Sequence, residues 1–174
     1  MGLFDPWRYV TDVAAVDLDE LHRAGKRAIL LDRDNTVVPR DTRVVPERTA
    51  AWLRRAGEMG FGLCFVSNNH RAAVLPDAEA FGALCVADAA KPLPVALWRA
   101  LRMMGASRGE AVLFGDQVFT DVVAGNLARV DTVLVVPQTT VDLAHTLVLR
   151  RFEARVLGDR VPEGAVPPDG ARDR

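Results

Sequence analysis

The sequence predicts an α/β fold of three layers, a five-stranded, mainly parallel sheet with helices on both faces and no large cap domain. Five short apolar runs, at 28–31, 62–66, 83–86, 111–114 and 132–136, have the length of strands buried on both sides. Helical segments fill the intervals, the alternation that gives right-handed crossovers between parallel strands. The first, second and fourth runs end abruptly in polar residues: Asp32-Arg33-Asp34-Asn35-Thr36, Ser67-Asn68-Asn69-His70 and Gly115-Asp116-Gln117. In an open parallel sheet those ends share one edge, and that edge holds the ligand.

The chain opens with Leu3, Phe4, Trp7, Tyr9 and Val10, interrupted by Pro6; these aromatics are expected to staple the terminus onto the sheet rather than to meet a membrane interface. Asp17, with Glu20 three positions on, is a capping signal for a short helix. After the first run, 37–45 has the pattern of a small hairpin over the site. Pro46 then opens a helix to about Met59, with Ala51, Leu53, Ala56 and Met59 as candidate inward residues and Gly60 as its end. Residues 71–80 are expected to be helical but broken near Pro76. Lys91-Pro92-Leu93-Pro94 precedes a helix to about Met104, closed by Gly105, and a further helix spans about 120–128. A last helical segment is expected at 141–157, so that one domain covers 1–157. The Pro/Gly/Asp/Arg-rich stretch 158–174 has too few apolar residues to offset ordering entropy and is expected to be a disordered tail.

The composition, 174 residues with 49% hydrophobic and 26% charged, is that of a soluble globular protein. A formal net charge of -1, with no long block of one sign, gives no footprint for nucleic acid, and none is expected as a partner. Cys64 and Cys85 each sit inside an apolar run, where a thiol behaves as a small buried hydrophobe. A disulfide between neighbouring strands stays open, but isolated core thiols fit a reducing cytoplasm better. No apolar run reaches the ~18 residues of a spanning helix, and the N-terminus lacks a signal-peptide pattern. The expected location is cytoplasmic, with peripheral contact at the inner face of the membrane left open.

The polar strand ends collect Asp32, Asp34, Thr36, Ser67, Asn68, Lys91, Asp116 and Asp121 on one edge. Carboxylates this close raise one another's pKa, so the cluster needs protons or a cation, and oxygen ligands with retained waters suit Mg²⁺. Asp32, Asp116 and a backbone carbonyl near Asp34 are the expected ligands, with Asp121 as a ligand or a partner that orients a metal water or Lys91. Lys91 supplies fixed positive charge, and Thr36, Ser67 and backbone N–H groups supply donors for an anion's oxygens, a combination that recognises phosphate. Thr36 and Ser67 could instead cap local backbone. A carboxylate can attack phosphorus to give an aspartyl-phosphate, while a second one two residues away protonates the leaving oxygen and then activates water; Asp32 and Asp34 suit those roles. The three histidines show no ligand spacing.

With those residues in view, Asp32-Arg33-Asp34-Asn35-Thr36 resembles the D-x-D-x-T motif of the haloacid dehalogenase (HAD) superfamily. Ser67 is similar to its second-motif hydroxyl, Lys91 to its third-motif lysine, and Gly115-Asp116 with Asp121 to its acidic fourth motif. Asp-Asn-Thr, Ser-Asn-Asn, Lys-Pro and Gly-Asp-Gln-Val-Phe-Thr-Asp together resemble the YqeG-like, subclass IIIA phosphatases over roughly 4–157. The resemblance implies a Rossmannoid HAD-like fold and a relation to phosphatidylglycerophosphate phosphatases. Arg33 departs from the pattern, standing where an apolar residue is common; it is expected to contact phosphate or reach solvent.

The intervals between motifs leave no room for a cap domain. An open site admits bulky or membrane-held phosphates, unless another subunit closes it, so an oligomer stays open. Three readings follow: a phosphatase acting on a lipid head-group phosphate such as phosphatidylglycerophosphate, the same chemistry on a soluble sugar or nucleotide phosphate, or a phosphate-sensing interaction protein. Intact Asp32, Asp34, Lys91 and Asp116 argue against the third.

Overall fold

The computed structural model describes residues 2–139, 156–158 and 160–165. Within them lie strands β1 (Arg8–Val10), β2 (Ala28–Leu31), β3 (Gly62–Val66), β4 (Leu84–Val86), β5 (Ala111–Gly115) and β6 (Asp131–Val135). They form one sheet in the order β1-β6-β5-β2-β3-β4, with every neighbouring pair parallel. The helices are α1 (Leu18–Arg23), α2 (Glu47–Glu58), α3 (Arg71–Ala80), α4 (Val95–Met104) and α5 (Val123–Ala128), the last entered through a π-helical turn at Val118–Val122.

The two-residue period of the strands divides the core. Ile29 and Leu31 of β2, Leu63 and Phe65 of β3, and Val112 and Phe114 of β5 pack with Leu21 of α1, Leu53 of α2 and Val74 of α3. The alternate residues Ala28, Leu30, Cys64, Val66 and Leu113 pack with Leu97 and Leu101 of α4 and Ala124 of α5. Both faces of β2 are therefore covered, which is why all four of its residues are buried. Trp52 stands edge-on to Phe114, ring centroids 5.4 Å apart, and donates its indole N–H to the Val16 carbonyl at 2.8 Å. At the opposite end of the sheet from the polar loops, the buried ammonium of Lys26 is satisfied by Gly109 O, Ala111 O and Asp131 Oδ2 at 2.6–3.1 Å. Gly105, at φ 64°, closes α4 in the left-handed conformation that costs glycine least.

Several expectations are corrected. The sheet has six strands rather than five: Arg8-Tyr9-Val10 is too short and too polar to show as an apolar run, yet it pairs with β6 in the register Tyr9↔Leu134. The N-terminal aromatics do staple the chain. Trp7 packs against the core with its N–H on Thr132 O at 2.8 Å, and Phe4 meets Phe119 edge-on at 5.5 Å. The stretch 37–45 forms no hairpin; Val37 and Val38 turn back to donate to Arg33 O, and both side chains enter the core. On α2 the inward residues are Ala50, Trp52, Leu53 and Ala56, while Ala51 is exposed, because the stripe is centred one position from where the spacing put it. Pro76 lies inside an unbroken α3, which Val74 and Ala78 seat on the sheet. Cys85 pairs with Phe65, one position from Cys64, so the two thiols lie on opposite faces and both are free. Burial pushes the Cys64 thiol up to about 12.

The expected disordered tail is ordered over 160–165, where Glu163 bridges Val10, donates its N–H to Tyr9 O at 2.8 Å and pairs its carboxylate with Arg8. Two backbone bonds and an ion pair compensate for the apolar residues this stretch lacks. The expected helix at 141–157 lies outside the described residues up to 155, as do 166–174 of the tail.

Two helical glycines offer opposite tests of this packing. A Cβ at Gly125 would lie 2.1 Å from Thr132 Cγ2, whereas one at Gly57 would meet nothing within 4 Å. Glycine to alanine in an open helix position stabilises by about 1 kcal/mol, while overfilling a packed contact costs about 1–3 kcal/mol. Urea unfolding is expected to show Gly57→Ala moving the midpoint up and Gly125→Ala moving it down; a Gly125→Ala midpoint at or above the parent's would contradict the α5–β6 packing.

Candidate active site

The direction of the crossovers reverses between β2 and β5. From β2 the chain passes to α2 on one face, and from β5 to α5 on the other, so a crevice opens beyond the carboxyl ends of these adjacent strands. Asp32 and Asp116, the residues that follow β2 and β5, stand side by side there, with the Asp32 N–H bonded to Phe114 O at 2.8 Å. Backbone in the left-handed region clusters on this edge at three non-glycine residues, Asn35 (φ 60°), Asp88 (φ 50°) and Ala90 (φ 53°), strain of the kind that collects at functional sites.

Lys91 reaches in from the loop before α4. Its Nζ donates to Asp32 Oδ1 and to Asp121 Oδ1, both at 2.6 Å, and its side chain is 2% exposed. Asn68 fixes the lysine backbone in a two-point clasp, Oδ1 accepting Lys91 N–H at 2.8 Å and Nδ2 donating to Lys91 O at 3.2 Å. Asp121 projects from the π-helical turn, and its Oδ2 accepts from Gln117 N at 3.1 Å and Thr120 Oγ1 at 3.3 Å. Gly115 makes that approach feasible, since a Cβ there would stand 2.3 Å from the Asp121 side chain.

Carboxylate oxygens of Asp32, Asp116 and Asp121, all three buried, lie within 4.8 Å of one another. Three negative charges around one ammonium leave the cluster short of positive charge in a place where water cannot compensate, and the donors are all hard oxygens. The set fits a divalent cation. Burial raises the Asp32 carboxyl to about 6, because the attraction of Lys91 is offset by the charges of Asp121 and Asp34. Burial works against the Lys91 charge, but Asp121 and Asp32 together outweigh it and hold the ammonium above its ordinary range. Lysine here answers to two acids, whereas Asp32 shares one lysine.

The structure thus gathers Asp32, Lys91, Asp116 and Asp121. Asp34 stands apart from the carboxylate cluster, bound by Arg33 Nη1 at 2.8 Å and by Asn69 Nδ2. Arg33 does not lie free in solvent; its Nε also meets Asp77 Oδ2 of α3 at 2.6 Å. Ser67 Oγ accepts the Asn69 N–H at 3.1 Å, a local cap. Thr36 is fully buried, its Oγ1 without a hydrogen-bond partner and its carbonyl accepting from Gln138 Nε2 at 2.5 Å. Asn68 is engaged with Lys91 as described. Asp77, Thr120, Gln138 and Thr139 were not marked by the sequence; Thr139 Oγ1 bonds Asn35 Oδ1 at 3.1 Å, and none of the four sits in a spacing that announces it. Thr120, inside the Gly-Asp-Gln-Val-Phe-Thr-Asp stretch, had the nearest thing to a signal.

A family model described as haloacid dehalogenase-like hydrolase matches residues 8–129. The probable phosphatase YqeG of Bacillus subtilis is 32% identical over 154 residues, covering 88% of this chain and 90% of that protein. In fold, the chain is similar to the cobalt-bound deoxy-D-mannose-octulosonate 8-phosphate phosphatase of Haemophilus influenzae, with TM-score 0.54, 10% identity, and 77% and 88% of the two chains covered. It is likewise similar to the 3-deoxy-D-manno-octulosonate 8-phosphate phosphatase of Yersinia pestis, with TM-score 0.52, 13% identity, and 80% and 85% covered. At such identities these two structures speak for the fold alone. The extent of the family match, the relation to YqeG and the strand-end carboxylates agree: the chain belongs to the haloacid dehalogenase-like hydrolase family.

Proposed function

We propose that the chain is a Mg²⁺-dependent phosphomonoester hydrolase that works through an aspartyl-phosphate on Asp32, with a lipid head-group phosphate such as that of phosphatidylglycerophosphate as its substrate. The observation that carries the reading is the buried Asp32–Lys91–Asp121 array beside Asp116. The relation to a probable phosphatase supports the chemistry. The absence of an inserted cap between β2 and β3 supports a substrate too large to be enclosed.

Lys91 occupies Asp32 Oδ1, so Oδ2 is the attacking oxygen. That oxygen forms a bond to phosphorus as the ester P–O bond breaks, and Asp34 gives a proton to the departing alcohol. Asp34, now the base, takes a proton from water; the water oxygen bonds to phosphorus, the Asp32–phosphorus bond breaks and inorganic phosphate leaves. Arg33 and Asn69 each hold one Asp34 oxygen, and the remaining lone pairs of the carboxylate receive the proton. The Lys91 ammonium stays beside the reacting carboxylate throughout, countering charge that builds up on the phosphoryl oxygens. Asp32 and Asp116, with the Asp34 carbonyl and Asp121 in support, would hold Mg²⁺, which when bound would neutralise further charge on the transferring group.

Asp32→Asn is expected to lower turnover of a generic aryl phosphate by at least about a thousandfold while the far-ultraviolet circular dichroism stays that of the parent. Residual turnover within tenfold of the parent would remove Asp32 as nucleophile. Mixed micelles of phosphatidylglycerophosphate assayed beside a panel of soluble sugar and nucleotide phosphates decide the substrate, and preference for a soluble phosphate would move the reading to that class.

Metal binding has its own pH signature. The Asp32 carboxyl is raised on folding, so without metal its contribution to stability is greatest below about pH 4 and declines as pH rises through about 6. A dication needs the carboxylate form and reverses that decline. Saturating Mg²⁺ is expected to raise the melting temperature by about 5–10 °C at pH 7.5, as about 2.7 kcal/mol at a hundredfold excess over Kd implies. The gain should shrink as pH falls below 6 and vanish in Asp116→Asn. A gain equal at pH 5 and 7.5 would place the metal elsewhere.

A further inference from the structure

The two faces of the sheet differ in charge. Helices α1, α2 and α3 carry six acids, among them Glu20, Glu47 and Asp77, interleaved with five arginines. Helices α4 and α5 carry none, and no aspartate or glutamate occurs anywhere between Asp88 and Glu110. Over that interval the solvent side presents Arg99, Arg102 and Arg108 together with exposed apolar residues. At 100° per residue, Trp98, Arg102, Val95, Arg99 and Met103 follow one another around the outer arc of α4, while Ala96, Leu97, Ala100 and Leu101 fill the inner arc. Val95 is 62% exposed and Leu93, in the loop before the helix, 58%. Trp98 is 42% exposed, and the Arg108 guanidinium lies over its ring, 5.7 Å from the centroid, an aromatic body carrying a cation.

An outer face of large apolar groups interleaved with arginines and free of acids is the composition that lies in the head-group layer of an anionic bilayer, apolar groups among the acyl chains and guanidinium groups at the phosphates. A second copy of the chain is a poorer occupant. A two-fold contact would set Arg99 and Arg102 against their own copies with no acid on the face to pair them. The face also ends at the site: Leu93 is two residues from Lys91, so a bilayer in contact with Leu93 and Val95 brings head-group phosphates to the rim of the crevice.

We infer that the outer face of α4, with Leu93 and Arg108 at its ends, docks the protein on anionic lipid surfaces and presents the open site to the head-group layer. The docking deepens the phosphatase reading by giving it a membrane-held substrate, and it rests on that reading only for this consequence, since binding is measured without turnover.

The test is co-sedimentation of the full chain with large unilamellar vesicles of phosphatidylcholine alone or with roughly one-third phosphatidylglycerol. The parent is expected to partition onto the anionic vesicles, less so as salt rises, and to stay in solution with the neutral ones. Each arginine facing such a surface is worth about fivefold in partitioning, so losing two lowers it about 25-fold, and Arg99→Glu with Arg102→Glu, which also adds two negative charges, should lower it by at least that much, with turnover of a soluble aryl phosphate unchanged. Trp98→Ala, which keeps every charge, should lower it about tenfold and abolish a blue shift of tryptophan emission that the parent shows on binding. Equal partitioning of parent and Arg99→Glu/Arg102→Glu, no partitioning of the parent, or a parent dimer that Trp98→Ala converts to monomer without any vesicle binding would each overturn the inference. Loss of phosphatase activity in every assay, with vesicle binding intact, would remove the catalytic reading and leave the docking surface standing.

Discussion

The buried ammonium of Lys91 is the contact on which the rest of this edge depends. It joins a carboxylate carried by β2 to one carried by the turn after β5, and its own backbone is clasped by Asn68 from the loop after β3. Three strand ends and the entry to α4 thus converge on a single positive charge. Removing it would leave three carboxylates together in a largely buried site, a cost of several kcal/mol for each uncompensated ion. The sheet supplies the counterweight. Leu30, Leu31, Leu113 and Phe114, all fully buried, anchor β2 and β5 immediately beneath the acids and prevent their separation. A hydrophobic core holds together an electrostatic arrangement that would otherwise spring apart.

Much of this was legible in the chain. Strands β2 and β3 fall where their apolar runs predicted, because a strand buried on both faces must be continuously apolar, and a polar residue ends it sharply. The same contrast marks Asp32 and Asp116. What escaped had weak local signals. Arg8-Tyr9-Val10 is an edge strand of three residues, held by pairing with β6 rather than by its own pattern. The 37–45 stretch alternates like a hairpin but buries Val37 and Val38 in the core. Gly115 offered a subtler clue, since its meaning lies in the Asp121 side chain that passes over it, and only the folded turn reveals that closeness.

Arg33 illustrates how a departure from a family pattern can be absorbed. A long cation between two acidic positions would ordinarily seek solvent or an anionic ligand. Here α3 supplies Asp77, and the guanidinium bridges it to Asp34, with side-chain exposures of 14% for Arg33 and 23% for Asp77. The loop after β2 is thereby tied to a helix on the face opposite α4. Asn69 closes the other side of the Asp34 carboxylate, so the residue assigned to proton transfer is held by groups from two separate loops. Ser67 caps its own loop, the alternative its residue type allowed, and Asn68 clasps the Lys91 backbone. Residues next to a reactive group are often there to aim it rather than to touch what it acts on.

The pairing of Glu163 along β1 bears on solubility as well as on order. β1 is the outermost strand on its side of the sheet, and a bare outer strand offers its N–H and C=O groups to any other extended chain. By donating its N–H to Tyr9 O and accepting the Thr11 N–H on its own carbonyl, Glu163 occupies that ladder, and its carboxylate beside Arg8 adds charge where a foreign strand would have to approach. A chain cut before residue 160 would keep every group of the crevice and lose this cover. Its weakness would appear as intermolecular strand pairing at high concentration, a colloidal defect remote from the chemistry.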